Sequence, residues 1–599
     1  MRADELAVLV DGRPEMEWGS DAIAEVVRRL DIRYFSYVPG ASYRGLHDSL
    51  VNYLGNENPQ MVLCLHEEHA VAVAQGYAKV TGRPMAVGLH SNVGLMHATM
   101  AIFNAYCDRA PMVILGATGP LDAAERRPWI DWIHTAADQG ALIRNYTKWD
   151  DQPGSVEAAV ESVIRADQIT RSYPSAPTYV CLDAGLQESR LHEPIELPDL
   201  ALYPPSEPPG PSAAALHRTL GLLADARRPV LLFGRGGRGE DAWTDRVRLA
   251  ERLGACALTD LKTPAMFPTA HRLHPAAPGT RVTDAGADLL RQSDFILSLD
   301  WIDLAGTLQA AFGRAPVPTV VSCTNDGALH NGWSKDYFAL PSVEISVCAH
   351  PDTFVQALLA GLPPRPDRQR NDWPEPVLPT TTPRVSESAG LDDSSLVMTD
   401  LVDALRQATE NQPVCWISLP RGWPSEQVDF RGPLDYLGKD GGGGVGAGPG
   451  VAVGAALALQ ETGRLPLAVV GDGDFLMGNS ALWTAAHHRL PLLVVVANNR
   501  TYYNDEVHQE RVARRRGRPV ENRSVGQHIR NPDPDLAVMA RSMGLHGYGP
   551  VRTPVELKEA LAKAVTDVNS GGAAVVDVRV SPAGGEHDVG ARVSRGNES

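Results

Sequence analysis

Residues 465–502 read LPLAVVGDGDFLMGNSALWTAAHHRLPLLVVVANNRTY. The apolar run Leu465–Val470 has the length and composition of a buried strand, and it ends in Gly471-Asp472-Gly473-Asp474. A helical segment over about Asn479–Arg489 follows, then a second apolar run, Leu492–Ala497, which ends in Asn498-Asn499. Short apolar runs separated by a helical pattern predict strand–helix–strand with parallel strands. Parallel strands point their carboxyl ends the same way, where open α/β sheets take ligands. Asp472 and Asn499 are therefore expected to converge on one crevice. A carboxylate, an amide oxygen and a backbone carbonyl are hard oxygen donors of the kind Mg²⁺ accepts, with a diphosphate filling the remaining positions. Gly471 and Gly473 let backbone N–H groups approach those phosphates.

The same alternation fills most of the 599 residues. Met61–Leu65, Met85–Leu89, Met112–Leu115 and Thr178–Leu182 are strand candidates, with Glu68–Val80 and Leu95–Tyr106 as helices between them. Pro229–Phe233, Phe295–Leu299 and Val317–Val321 play the strand part in a second unit. The expected fold class is α/β, in three domains that are each a parallel sheet flanked by helices. Those domains are placed at residues 1–190, 212–361 and 390–580, with proline-rich linkers at 191–211 and 362–389 and a polar C-terminal tail at 581–599. The formal charge of −17 argues against a general nucleic-acid surface. The apolar runs are too short to span a membrane, and the first residues lack a cationic-then-apolar signal pattern. Seven dispersed cysteines without C-x-x-C spacing fit reduced thiols rather than a zinc site. Together these set the expectation of a cytoplasmic protein with no nucleic-acid or membrane partner.

A second half of the site is expected in the first unit. Leu63-Cys64-Leu65-His66-Glu67-Glu68-His69 puts Glu67 where a strand ends and a helix begins. An acidic residue there also suits the helix dipole, which is reason enough for Glu68. Gly76-Tyr77-Ala78 starts nine residues after Glu67, and Thr81-Gly82-Arg83-Pro84 follows. Gly88-Leu89-His90-Ser91 closes the next strand, and Asn92-Val93-Gly94 opens the next helix. Pro39-Gly40-Ala41-Ser42 marks an earlier turn, and Gly441–Gly450, GGGGVGAGPG, precedes the Gly-Asp-Gly strand.

These blocks together resemble the thiamine diphosphate-dependent enzymes, in the branch of the benzoylformate decarboxylases and acetohydroxyacid synthases. The Glu67 block is similar to their pyrimidine-domain signature, and residues 465–502 to their magnesium–diphosphate motif. Ser480–Ala486 and Leu89-His90-Ser91-x-x-Gly94 resemble the decarboxylases in particular. The resemblance implies that residues 1–190 bind the pyrimidine, 212–361 form a Rossmann-like middle domain and 390–580 bind the diphosphate and metal. On that basis Asp472 and Asn499 hold Mg²⁺ by their side chains and Thr501 by its carbonyl. Gly471, Gly473 and Asp474 line the diphosphate, and Val445 wedges the two cofactor rings into a V. Glu67 bonds the pyrimidine ring nitrogen and favours the imino tautomer, whose exocyclic nitrogen removes the thiazolium proton. His90 transfers protons to and from the reacting carbon skeleton. Ser42, Ser91, Tyr503, Glu506, His508 and Gln509 are candidate substrate contacts.

The resemblance thins in places. The branch has Pro-Gly-Ser where this chain has Pro39-Gly40-Ala41, which leaves Ser42 one residue late. Its second catalytic histidine, from the middle domain, has no counterpart; the nearest stretch is Asp300-Trp301-Ile302-Asp303. Arg511–Arg518 reads either as a solvated charged helix or as a basic lid over an anionic substrate. Gly234–Gly239 is read as a strand-to-helix turn, so FAD or ADP is not expected in the middle domain. The implied cofactors are thus thiamine diphosphate and Mg²⁺. The implied activity is decarboxylation of a 2-oxo acid, with or without carboligation of the aldehyde. Alternatives are an acetolactate-synthase-like ligase, a 2-hydroxyacyl-CoA lyase and a non-catalytic binding relative. Expected partners are a 2-oxo acid, aldehyde or acyl-CoA substrate and further copies of the chain, in a homodimer or homotetramer with the site between subunits.

Overall fold

A computed structural model describes residues 7, 12, 14–193, 195–313, 318–328, 340–363, 373–374, 396–439 and 441–581. Most of the second linker, Val317 and the tail beyond Ser581 lie outside the described residues. The first sheet contains β1 (Tyr34–Tyr37), β2 (Gln60–Leu63), β3 (Ala86–Leu89), β4 (Val113–Thr118), β5 (Trp149–Asp151) and β6 (Thr178–Asp183), in the order β2-β1-β3-β4-β6-β5. The second contains β7 (Pro229–Phe233), β8 (Cys256–Leu258), β9 (Phe295–Leu299), β10 (Thr319–Cys323) and β11 (Ile345–Val347), in the order β11-β10-β9-β7-β8. The third contains β12 (Val414–Ser418), β13 (Leu465–Gly471), β14 (Leu492–Asn498), β15 (His546–Val551) and β16 (Ala573–Arg579), in the order β12-β13-β14-β16-β15. Every paired neighbour is parallel. Helices cover the faces, and the chain has the expected three-domain α/β architecture.

The valine-rich runs are strands because helices bury them on both faces. All residues of β14 and all but the last of β13 are buried. β1 was not among the candidates, since Tyr-Phe-Ser-Tyr is too short and mixed to stand out, yet it is wholly buried between β2 and β3. The helical pattern after β13 divides differently from the expectation. One helix, Asp472–Gly478, starts where the strand stops, and a second runs over Ala481–His488. At the break, the Asn479 side chain donates to the Leu476 carbonyl at 2.8 Å, a local bond that competes with helix continuation.

The first and third domains pack through the helices Glu67–Thr81 and Ala447–Leu459, whose backbones nearly touch. A Cβ on Gly454 would fall 1.8 Å from the Val73 carbonyl oxygen, and one on Gly76 would fall 2.0 Å from that of Val451. Only glycine permits this approach. Polar ties reinforce it: His69 Nε2 lies 2.8 Å from Ser480 Oγ, and Thr484 Oγ1 donates to the Leu63 carbonyl at 2.8 Å. The Ser480–Ala486 segment therefore serves as a strut between the domain carrying Glu67 and the domain carrying Asp472.

Candidate active site

In the third domain Gly471 pairs with Ala497, so Asp472 and Asn499 leave neighbouring strands at nearly the same level. Asp472 opens its helix, with Gly471 as N-cap. After Asn498 the chain turns through Arg500, whose φ of 58° is left-handed, and the Arg500 N–H donates to Asn498 Oδ1 at 3.1 Å. The Thr501 N–H donates to Asn499 Oδ1 at 3.1 Å. Asp472 is buried, and burial pushes its carboxyl up to about 6 although the backbone N–H groups of Gly473, Arg500 and Thr501 pull the other way. Among the described residues nothing bonds its buried Oδ2. An orphaned carboxylate oxygen is costly, and a cation relieves that cost. The carboxylate, the Asn499 amide oxygen and the Thr501 carbonyl form an all-oxygen donor set, so the residues present fit Mg²⁺. The space over Gly471 is open, with nothing within 4 Å of where a Cβ would stand.

The first domain presents Glu67, buried, at the first position of its helix. His97 Nδ1 lies 3.0 Å from Glu67 Oε2, and a Cβ on Gly94 would sit 3.1 Å from Glu67 Oε1. His90 caps the helix Ser91–Cys107 at the end of β3, and a Cβ on Gly40 would fall 2.4 Å from the His90 Cβ. The Pro39–Ser42 turn thus lies directly against His90. Ser42 Oγ is 2.9 Å from His90 Nδ1 and accepts the Ser91 N–H at 3.1 Å. This contact ties the Nδ1 edge of the ring to Ser42 and leaves Nε2 as the ring nitrogen open to a proton-transfer partner. Burial, helped by His134, lowers the His90 pKa from its ordinary value and so favours the neutral ring. The one-residue register departure is absorbed by the tight turn Ala41–Tyr43, in which Ala41 is exposed and Ser42 buried.

Other expected site residues are placed differently. Asp474 accepts the Gly446 N–H at 2.6 Å and the Gly448 N–H at 3.4 Å, so it braces the glycine turn rather than facing the crevice with both oxygens. Val445 stands 48% exposed at the tip of that turn, just after Gly444, whose N–H donates to Asn104 Oδ1 at 3.2 Å. Glu506 is buried and bonded by the Thr501 hydroxyl, with His528 Nε2 at 3.4 Å and Arg523 Nε at 3.8 Å. It fixes the turn that carries the Thr501 carbonyl. Tyr503 is half-buried, whereas His508 and Gln509 are exposed. The helix Tyr503–Arg515 carries Arg514 paired to Glu510 at 2.6 Å, with Arg515, Arg516 and Arg518 exposed beyond it. Asp300, in the stretch nearest to the missing histidine, bonds Thr324 Oγ1 at 2.6 Å and Tyr173 at 3.3 Å. At the middle-domain glycine loop, Asp352 accepts the Gly237 N–H and Arg246 Nη1, each at 2.6 Å, so a carboxylate of this chain already fills the anion position there.

Two residues near the site escaped the sequence reading. His97 reaches Glu67 from thirty residues away. His134 stands edge-on to His90 with ring centroids 4.6 Å apart and its Nδ1 buried without a partner among the described residues. Only a helical count from His90 and Gly94 to His97 could have flagged the first; no local signal marked the second.

Residues 17–142 match the family described as thiamine pyrophosphate enzyme, N-terminal TPP binding domain; residues 216–314 match its central domain and residues 419–578 its C-terminal TPP binding domain. The benzoylformate decarboxylase of Pseudomonas aeruginosa is 26% identical over 473 residues, covering 74% of this chain and 80% of its own. The acetolactate synthase large subunit of Corynebacterium glutamicum is 24% identical over 515 residues, covering 81% of this chain and 75% of its own. The crystal structure of benzoylformate decarboxylase from Polynucleobacter necessarius is similar with a TM-score of 0.77 at 20% identity, over 94% of this chain and 99% of that one.

Proposed function

This chain belongs to the thiamine pyrophosphate enzymes, and on that premise we propose that it is a Mg²⁺-dependent 2-oxo acid decarboxylase. The observation that carries the reading is His90, whose Nδ1 is 2.9 Å from Ser42 Oγ and which caps a helix that also runs beside Glu67. An enzyme that must protonate carbon after losing CO₂ needs a proton-transfer group held beside the reacting carbon.

When bound, thiamine diphosphate supplies the nucleophilic carbon and the electron sink for cleavage beside a carbonyl. Asp472, Asn499 and the Thr501 carbonyl would hold the metal that carries its diphosphate, and Glu506 keeps Thr501 in place. Glu67 presents its carboxyl to the aminopyrimidine ring. Ser42 holds the imidazole of His90 by Nδ1, so that Nε2 is the nitrogen left to exchange a proton with the substrate. Val445, 48% exposed in the glycine-rich turn, would press between the cofactor's rings. Leu65, Met96, Val445 and Met477 are all about half-exposed near these elements. Their exposure supports a homodimer or homotetramer with the active site between subunits.

The test is release of CO₂ from a panel of 2-oxo acids by protein loaded with thiamine diphosphate and Mg²⁺, with acetolactate assayed in parallel from pyruvate. Aldehyde and CO₂ in equal amounts support the reading. Acetolactate as the main product, without free aldehyde, contradicts it.

A further inference from the structure

Glu67 has a bonded neighbour that the proposed function does not use. We propose that His97 is a positioning residue for Glu67, fixing Oε2 so that Oε1 alone is offered to the cofactor's pyrimidine ring. The inference rests on the reading of Glu67 as the group that bonds that ring. A carboxylate has two equivalent oxygens, and rotation about Cγ–Cδ exchanges them, so an unheld side chain presents its acid group in many orientations. Here Oε2 is 3.0 Å from His97 Nδ1. Oε1 lies instead over Gly94, where the missing side chain leaves space that a Cβ would close to 3.1 Å.

The helix Ser91–Cys107 produces both features. Gly94 and His97 lie one turn apart on this helix, and a Cβ on Gly94 would stand 3.4 Å from the Cβ of the N-cap His90. The N-terminal end of this helix therefore gathers the substrate-side histidine, the gap for Glu67 Oε1 and the partner of Glu67 Oε2. The imidazole of His97 is oriented in turn. It stacks on His66 at 4.9 Å between centroids and 22° between planes, and His66 is anchored by its Nδ1, which accepts the Glu68 N–H at 3.1 Å. A flat ring held by a flat ring sets the direction of Nδ1, and Nδ1 sets the carboxylate. The side chain of His97 is 58% exposed, so removing it takes little from the core.

The test uses full-length His97→Ala, His97→Asn, Glu67→Gln and the double variant Glu67→Gln/His97→Ala. Cofactor affinity is read by quenching of tryptophan fluorescence in the presence of Mg²⁺. The tautomeric state of the bound aminopyrimidine is read by near-ultraviolet circular dichroism without substrate. For His97→Ala the cofactor Kd is expected to stay within about threefold, because the metal and diphosphate supply most of the binding. Its kcat falls about 30- to 100-fold, the scale of an ångström's misplacement of a reacting group, and its dichroism band changes. His97→Asn, whose amide N–H can still donate to Oε2, recovers at least about tenfold of kcat. In the Glu67→Gln background His97→Ala changes neither Kd nor the band. Wild-type kcat and dichroism in His97→Ala overturn the proposal, as does a further change caused by His97→Ala once Glu67 is already glutamine. Near-normal turnover in Glu67→Gln would instead remove the reading of Glu67 on which this one rests, so the two failures are distinguishable.

Discussion

Gly454→Ala tests whether the close contact between the first and third domains sets the position of the helix that begins at Glu67. The new methyl would stand 1.8 Å from the Val73 carbonyl oxygen, against a comfortable carbon–oxygen contact of about 3.3 Å. The obstacle is backbone in the middle of a helix, so no side chain can swing aside and the helices must part by about an ångström or more. Overpacking of this kind costs roughly 1–3 kcal/mol, and a rigid obstacle belongs at the upper end. Alanine returns roughly 1 kcal/mol through its better helix propensity. The net expectation is a loss of about 2 kcal/mol, with weaker cofactor binding because Glu67 begins the displaced helix. The same substitution at Gly221, in the helix Ala213–Asp225 with nothing within 4 Å of the new methyl, is the control. It should stabilise by roughly 0.5–1 kcal/mol. Urea unfolding of both variants, paired with fluorescence titration of thiamine diphosphate, gives the comparison. A Gly454→Ala protein as stable as Gly221→Ala, with unchanged cofactor affinity, would refute the packing argument.

Other consequences are open to simpler assays. His90→Ala should lower kcat by about 10²–10⁴-fold, the usual worth of a positioned proton-transfer group, while leaving cofactor affinity nearly unchanged; steady-state kinetics and the same titration check both parts. Glu506→Ala removes the partner of the Thr501 hydroxyl, and the Mg²⁺ concentration for half-maximal activity should rise about tenfold, as for other groups that orient a metal ligand. His69 is 3% exposed and its pKa is lowered to about 4 by burial, against about 6.5 in the unfolded chain. The unfolded chain therefore takes up the proton first as pH falls. The stability contributed is complete above about pH 6.5 and is lost towards pH 4, by on the order of 3 kcal/mol. Urea midpoints across that range should show the loss, and His69→Gln should flatten it.

The parts of the site legible in the sequence were those written in consecutive residues. Leu465–Val470 followed by Gly-Asp-Gly, and Leu492–Ala497 followed by Asn-Asn, announce strands that end beside each other because apolar runs of that length bury on both faces. The position of Glu67 was legible for a similar reason, at the start of a glycine-containing helix just after a strand. What the sequence concealed depends on distant backbone. Whether Ala41 or Ser42 faces His90 is decided by a tight turn and by the close approach of Gly40 to the ring. Glu506 looked like a substrate contact until its burial against Thr501 and His528 showed its charge already engaged. Asp474 carries the same lesson: it sits in the motif, yet the N–H groups of Gly446 and Gly448 claim one of its oxygens. His97 and His134 lie in helical or loop sequence with no motif of their own, and only the folding of two segments onto one crevice reveals them.

The most direct measurement is a comparison of wild type and Glu67→Gln for two quantities on the same preparations: thiamine diphosphate affinity in Mg²⁺, and the rate of CO₂ release from the best 2-oxo acid of the panel. On the proposed function Asp472, Asn499 and Thr501 would hold the metal and diphosphate, whereas Glu67 would act on the pyrimidine ring. The variant should therefore bind the cofactor within a few-fold of wild type, about 1 kcal/mol or less, and release no detectable CO₂. A Glu67→Gln protein that decarboxylates at near the wild-type rate would contradict the account.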